Sequence, residues 1–194
     1  MWYGWYETIL NVKNLLITKV FYPKARLVRF PCYVRNKKHI AFGEGFTCGY
    51  NCRLESVQTK PEQYGKITFG KNVKIGDYVH ISSASNIEIG DNVLMASHIF
   101  ITDLDHGKYA GVNQTSPDTH PDTREIHSAD VKIGENVWIG ENVIVLKGVT
   151  IGKGSIIGSA SVVTKSIPEG CIAVGSPAKV IKKYNEERQE WLSV

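Results

Sequence analysis

Aliphatic residues return along this chain at every sixth position. One run reads Phe69, Ile75 and Ile81, then, after two extra residues, Ile89, Met95 and Ile101. A second reads Ile133, Ile139, Val145, Ile151, Ile157 and Val163, and a shorter, earlier one reads Phe42, Cys48 and Leu54. The next position is glycine at 43, 49, 70, 76, 90, 134, 140, 152 and 158. The fifth is β-branched or small: Val73, Val79, Val93, Ile99, Val137, Val143, Val149, Ser155 and Ser161. Such a period matches neither the 3.6 residues of a helical turn nor the alternation of an amphipathic strand. Three hexads forming one coil, with three short strands and three tight turns, do produce it. First and fifth positions then point inward and stack on their counterparts in the next coil, about 4.8 Å away. Glycine after the aliphatic residue permits backbone angles or close approaches that a side chain would hinder. Cys48 is a first position and Cys52 a fifth, so both are expected as small core residues rather than as half of a zinc site.

The ends follow other rules. Residues 5 to 21 predict an amphipathic helix with Ile9, Leu10, Val12, Leu15, Leu16 and Val20 on its apolar side. The segment "KVIKKYNEERQEWL", 179 to 192, predicts a second helix that closes the open end of the core, where unpaired edges need a cover. The expected organisation is an N-terminal helix and cap over 1 to 40, coils over 41 to 168 and a C-terminal extension over 169 to 194.

The rhythm fails at "ITDLDHGKYAG", 101 to 111. There the fifth position, which should be small and apolar, is Asp105, and the sixth is His106. Residues 107 to 131 then leave the coil. A connection that long inside a compact domain is usually functional or disordered, and this one carries Tyr109, His120, Arg124 and His127, side chains able to line a site.

Composition narrows the partners. With 194 residues, 42% hydrophobic and 22% charged, the chain fits one globular domain. A net charge of +4 suits a phosphate-bearing ligand and is too small to argue for nucleic acid. Lys13 and Lys19 interrupt the N-terminal apolar stretch, and no basic, apolar and cleavage regions follow one another as a secretory signal would require. Four cysteines without a disulfide framework suit a reducing compartment, so a cytoplasmic protein is expected.

The hexads resemble the hexapeptide-repeat family, whose fold is the left-handed parallel β-helix. The left hand is implied by the resemblance alone, since general crossover rules favour the right. The segment "ITDLDHG", followed after the loop by "IGENVWIGENVIVLKGVTIGKGSIIGSASVVTKSIPEGCIAVGSPAKVI", is similar to the sugar O-acetyltransferases of that family. The likeness is to those of surface-polysaccharide synthesis, with galactoside and maltose acetyltransferases as cousins. The resemblance implies acetyl-coenzyme A as cosubstrate, a sugar or glycan acceptor, no required metal and a homotrimer with sites between subunits. It makes His106 the general base; a carboxylate or carbonyl must then fix its tautomer, and Asp103 and Asp105 are the local candidates. It places Trp138, Glu141, Ser159, Thr164, Lys165 and Lys179 on the cofactor, Glu141 through its backbone N–H near the thioester. His98 stands where those relatives have asparagine, and with Tyr109 and Arg124 it is expected at the acceptor. Lys147 and Lys153 are expected to be solvated.

An N-acetyltransferase of nucleotide-linked amino sugars would use the same groove. A zinc lyase like the γ-type carbonic anhydrases shares the fold but needs three converging histidines. Here His80 stacks on Phe100 rather than on His98, so no cluster forms. Aromatics and lysines on the N-terminal helix would also suit a bilayer surface, though packing within a trimer is the preferred expectation.

Overall fold

The structure, a computed structural model, describes residues 4–194. Its hexads become short strands that the chain lays down in turn on three sheets. One circuit runs through Lys74–Ile75, His80–Ser83 and Asn86–Ile89; the next through Leu94–Met95, Phe100–Thr102 and, after the excursion, Val131–Ile133. Each strand pairs in parallel with those one circuit before and after it, so inward side chains line up in columns. The first sheet stacks Cys48, Ile75, Met95, Ile139 and Ile157. The second stacks Leu54, Ile81, Ile101, Val145 and Val163. The third stacks Phe69, Ile89, Ile133 and Ile151. No member of these columns is more than 4% exposed, and full burial of such a side chain contributes about 1.5–3 kcal/mol.

The glycines that follow these residues serve close approach, since none of the nine has a positive φ. At Gly134 an added Cβ would lie 2.7 Å from the Lys153 nitrogen of the next circuit. Left-handed angles fall at the corners instead. Asn72, Asn92 and Asn136 line the corner between the third and first sheets. Asn51, Tyr78, His98, Asn142 and Ala160 line the one between the first and second. Asparagine and histidine tolerate this conformation, while Tyr78 is unusual there. The Tyr78 and His98 rings stack with centroids 4.9 Å apart.

All large departures from the hexad occur at the remaining corner, between the second and third sheets. A hairpin, Gln58–Lys60 with Gln63–Tyr64, emerges there in an early circuit. A two-residue widening follows at Ala84 and Ser85, and the long excursion emerges one circuit later. Asp103 joins these features. It is fully buried, and its carboxylate accepts hydrogen bonds from Ser83 Oγ (2.7 Å), the Ala84 N–H (2.7 Å) and the Ser85 N–H (3.0 Å). Its carbonyl accepts from the Ala129 N–H at 2.9 Å, where the excursion returns.

On the outer side of the second sheet, the register brings Arg35 beside Glu55 and Arg53 beside His80. Glu55 is 6% exposed and pairs with Arg35, with Arg53 at 2.6 Å and with His80 Nε2 at 2.8 Å. Burial alone would raise its pKa. Hydrogen bonds from Arg53 and His80, with the charges of Arg53 and Arg35, outweigh this and hold it below the ordinary value of 4.5.

The N-terminal end is covered by helix α1, Trp5–Phe21, as expected. Its buried residues are Asn14 and Thr18, not its aliphatic ones. Thr18 Oγ1 accepts from the Val28 N–H at 2.8 Å and so satisfies the free edge of the first strand, Leu27–Val28. Among the described residues no helix is long and apolar enough to cross a membrane.

The expected C-terminal helix is absent. Lys179–Asn185 and Glu190–Ser193 are strands that extend the first sheet, the former antiparallel to Cys171–Val174 and the latter antiparallel to Lys179–Asn185. The exposed edge of Cys171–Val174 supplies a ladder that an isolated helix would forgo, and Tyr184 packs on Trp191 at 5.2 Å across the hairpin. The helix-favouring residues Glu186 to Gln189 form the turn instead, with the Arg188 N–H bonded to Asn185 Oδ1 at 2.8 Å.

Two stability measurements test these buried carboxylates. Asp103→Ala strands the Ala84 and Ser85 N–H groups, while Ser83 Oγ keeps the Lys66 carbonyl at 2.9 Å, and is expected to cost about 2–4 kcal/mol in denaturant unfolding. A loss within about 0.5 kcal/mol would show that the corner holds without it. For Glu55 the folded pKa is depressed, so its contribution is complete above pH 4.5 and fades as pH falls through the folded value. Glu55→Gln should therefore cost on the order of 1 kcal/mol at neutral pH, because Arg35 and Arg53 are partly exposed, and little in strong acid. A difference between the two proteins that does not shrink on acidification would contradict this.

Candidate active site

The excursion is a built arm rather than a loose loop. Leu104–His106 pairs antiparallel with Ile126–Ser128, so that Asp105 faces His127 and His106 faces Ile126. The chain therefore leaves the coil just after Asp103, earlier than the expected boundary at 107, and rejoins it at Val131–Ile133. His106 stands on the arm. It is exposed, and among the described residues its ring has no hydrogen-bond partner.

Both carboxylates expected to orient it are committed elsewhere. Asp103 is saturated by Ser83, Ala84 and Ser85. Asp105 neighbours His106 on one strand, where successive side chains point to opposite faces. Its Oδ2 lies 3.1 Å from Lys147 Nζ. Lys147, expected to be solvated, thus ties the arm to the next circuit with only 23% of its side chain exposed. Lys153 pairs with Glu135 at 2.5 Å on the surface.

Tyr109 and Arg124 brace the arm. Tyr109 Oη donates to the His106 carbonyl and accepts from Arg124 Nη1 at 2.8 Å. Arg124 also donates to the carbonyls of Thr119 (3.0 Å) and Pro117 (3.2 Å). Gly107 makes room: at φ +114° an added Cβ would sit 2.6 Å from the tyrosine oxygen. Arg124 is therefore engaged within the arm through three of its donors.

The remaining expected residues divide between two corners. Thr164 and Lys165 follow Val163 at the same corner as the arm, one circuit beyond Leu146 and Lys147. His98, Glu141 and Ser159 lie instead at the corner between the first and second sheets. There His98 Nδ1 is 4.0 Å from a Glu141 carboxylate oxygen. The Glu141 N–H, the expected oxyanion donor, bonds to Ser159 Oγ at 3.2 Å. Trp138 stands on the outer face of the first sheet between Leu94 and Ile156, 51% exposed. Lys179 pairs with Val174 at the far end of that sheet. One chain thus holds the arm and the Trp138 strip on different faces.

His80 stacks between Arg53 and Phe100 on the second sheet, so His80, His98 and His106 occupy three separate places. Sequence reasoning missed the Glu55 cluster and the Asp105–Lys147 tie. The register that pairs His80 with Phe100 would have revealed the first by the same counting.

The family model for the bacterial transferase hexapeptide (six repeats) matches residues 130–165. Over 190 residues the chain is 46% identical to WbbJ of Escherichia coli (strain K12), named provisionally as a lipopolysaccharide biosynthesis O-acetyl transferase; the match covers 97% of this chain and 94% of that one. Among solved structures, a maltose O-acetyltransferase from Clostridium difficile 630 is 32% identical with a TM-score of 0.62, covering 77% of this chain and 73% of its own. AntD, an N-acyltransferase from Bacillus cereus in complex with dTDP and 3-hydroxybutyryl-CoA, shares the fold with a TM-score of 0.69 at 22% identity, covering 85% of this chain and 82% of its own. Stacked hexads and a match along nearly the whole length lead to one conclusion: the chain belongs to the bacterial hexapeptide-repeat transferase family.

Proposed function

We propose that this chain is an acetyl-coenzyme A-dependent O-acetyltransferase acting on a hydroxyl of a sugar or surface-polysaccharide precursor. The fold under this reading is a closed left-handed parallel β-helix, and the working unit is a homotrimer. The observation that carries it is His106, an exposed and unpartnered ring on an arm braced by Tyr109, Arg124 and Lys147. The kinship with WbbJ supplies the class of acceptor. The reading places the protein in the cytoplasm, where acetyl-coenzyme A is available.

A sugar hydroxyl attacks a thioester poorly until its proton is accepted. An imidazole can take that proton and return it to the departing thiolate. The Glu141 N–H is the donor for the developing oxyanion, exchanging the Ser159 hydroxyl for it. Exposed Leu94 and Trp138 form an apolar strip suited to the pantetheine arm. Lys165 and Lys179 suit its phosphates. Since one chain keeps His106 and this strip apart, the complete site takes the arm of one subunit and the strip of its neighbour. That neighbour also supplies the group that orients the imidazole.

His106→Ala is expected to fold and assemble normally and to lose about 10²- to 10⁴-fold in turnover, read as thiol release across a panel of acceptors. Near-wild-type activity in that variant, or a fully active 21.6 kDa monomer by light scattering, would defeat the reading. Lys165→Ala should chiefly raise KM for acetyl-coenzyme A and flatten its dependence on salt. An unchanged KM with a reduced kcat would move Lys165 from the cofactor to the chemistry.

A further inference from the structure

Helix α1 is inside out by the usual standard of a core-facing helix, burying its polar residues and presenting its apolar ones. At about 100° per residue, Val12, Trp5, Leu16, Ile9 and Val20 fall side by side in one narrow stripe. They are 54%, 78%, 65%, 60% and 73% exposed. Lys19 borders the stripe on one flank and Lys13 on the other. The stripe lies opposite Asn14 and Thr18, which hold the helix on the free edge of the first strand, so it faces away from the coil. The arm, Lys147 and Lys165 belong to later circuits and stay clear of it.

Charge identifies what the stripe meets. Residues 1 to 38 contain eight lysines and arginines and one acidic residue, a net charge of +7, whereas the whole chain carries +4 and the remainder is therefore acidic at −3. Exposed Lys24, Arg26, Lys37 and Lys38 gather near the helix C-terminus, where Lys37 Nζ donates to the Phe21 carbonyl at 2.6 Å. A second copy of α1 would bring the same positive charge against this surface. Five side chains also fall well short of the roughly 20–30 residues a side of a standard protein interface.

We propose that α1 is a peripheral membrane anchor that lies flat on a bilayer bearing anionic headgroups. Its apolar stripe enters the acyl boundary, and Lys13 and Lys19 remain at headgroup depth. No part of this rests on the acetyl-transfer reading, since vesicle binding is measured without substrate. The intact protein is sedimented with phosphatidylcholine vesicles, with and without phosphatidylglycerol, at low and high salt. Binding is expected to the anionic vesicles, to weaken at high salt, and to fall about tenfold or more in Leu16→Glu with oligomeric size unchanged by light scattering. Ile9→Ser, a milder change on the same stripe, should also weaken binding, and Lys13→Glu should abolish the preference for anionic lipid. Wild-type protein that ignores both vesicle types, or a Leu16→Glu variant that binds as well as wild type, overturns the proposal. So does a Leu16→Glu variant of smaller oligomeric size without vesicles, which would assign the stripe to a contact between copies.

Discussion

Parallel stacking at a fixed spacing governs this molecule. Every circuit must return the chain above its own start, with inward residues over inward residues, or the ladders on three sheets fail together. The strands are too short to tolerate a slip, because a shift of one residue would turn a whole column of aliphatic side chains toward water. Inserted residues can therefore be accommodated only at corners. Here the large insertions all leave by the same one, between the second and third sheets, and His106 leaves with them.

That constraint explains how much could be read in advance. The columns through Ile75, Ile81 and Ile89 were legible because one repeated choice of residue appears in every circuit, and burial matches it. His80 over Phe100 was legible by counting. The left-handed corner positions were partly so: asparagine at 51 and 142 marks the column in which His98 sits, which accounts for an asparagine-to-histidine difference without invoking an acceptor. The rest depends on contacts outside the repeat. Helix-favouring residues near 186 became a turn because an unpaired strand edge lay beside them. The aliphatic face of α1 turned outward because Thr18 and Asn14 were needed to satisfy an edge strand. Neither edge is visible in a local pattern.

The arm shows the same division. An acidic residue at a position reserved for small apolar ones signals a break, yet its partner does not follow from the signal. Asp103 and Asp105 differ by two positions and perform unlike tasks, one sealing a buried corner and the other meeting Lys147 at the surface. Tyr109 and Arg124 carry residue types that suit a ligand, but on this arm they hold each other and the His106 carbonyl. Rigid support of a reactive group and contact with a substrate draw on the same side chains, so composition alone does not separate them.

What the supports leave undone is informative. Tyr109, Arg124, Gly107 and Lys147 fix the backbone and position of the arm, yet none of them touches the imidazole of His106. In the role of general base that we propose for His106, the ring needs its tautomer set by a second group, and no described residue of the same chain supplies one. Within one chain the strip of Leu94 and Trp138 lies on another face, beside His98 and Glu141, whose own polar groups are only loosely engaged at 4.0 Å and 3.2 Å. One chain thus carries two separate surfaces, a rigid arm whose ring lacks a partner and an apolar strip on another face. In the homotrimer we propose, assembly completes the site, and the corner that the stacking rule leaves free to vary is the one that reaches the neighbour.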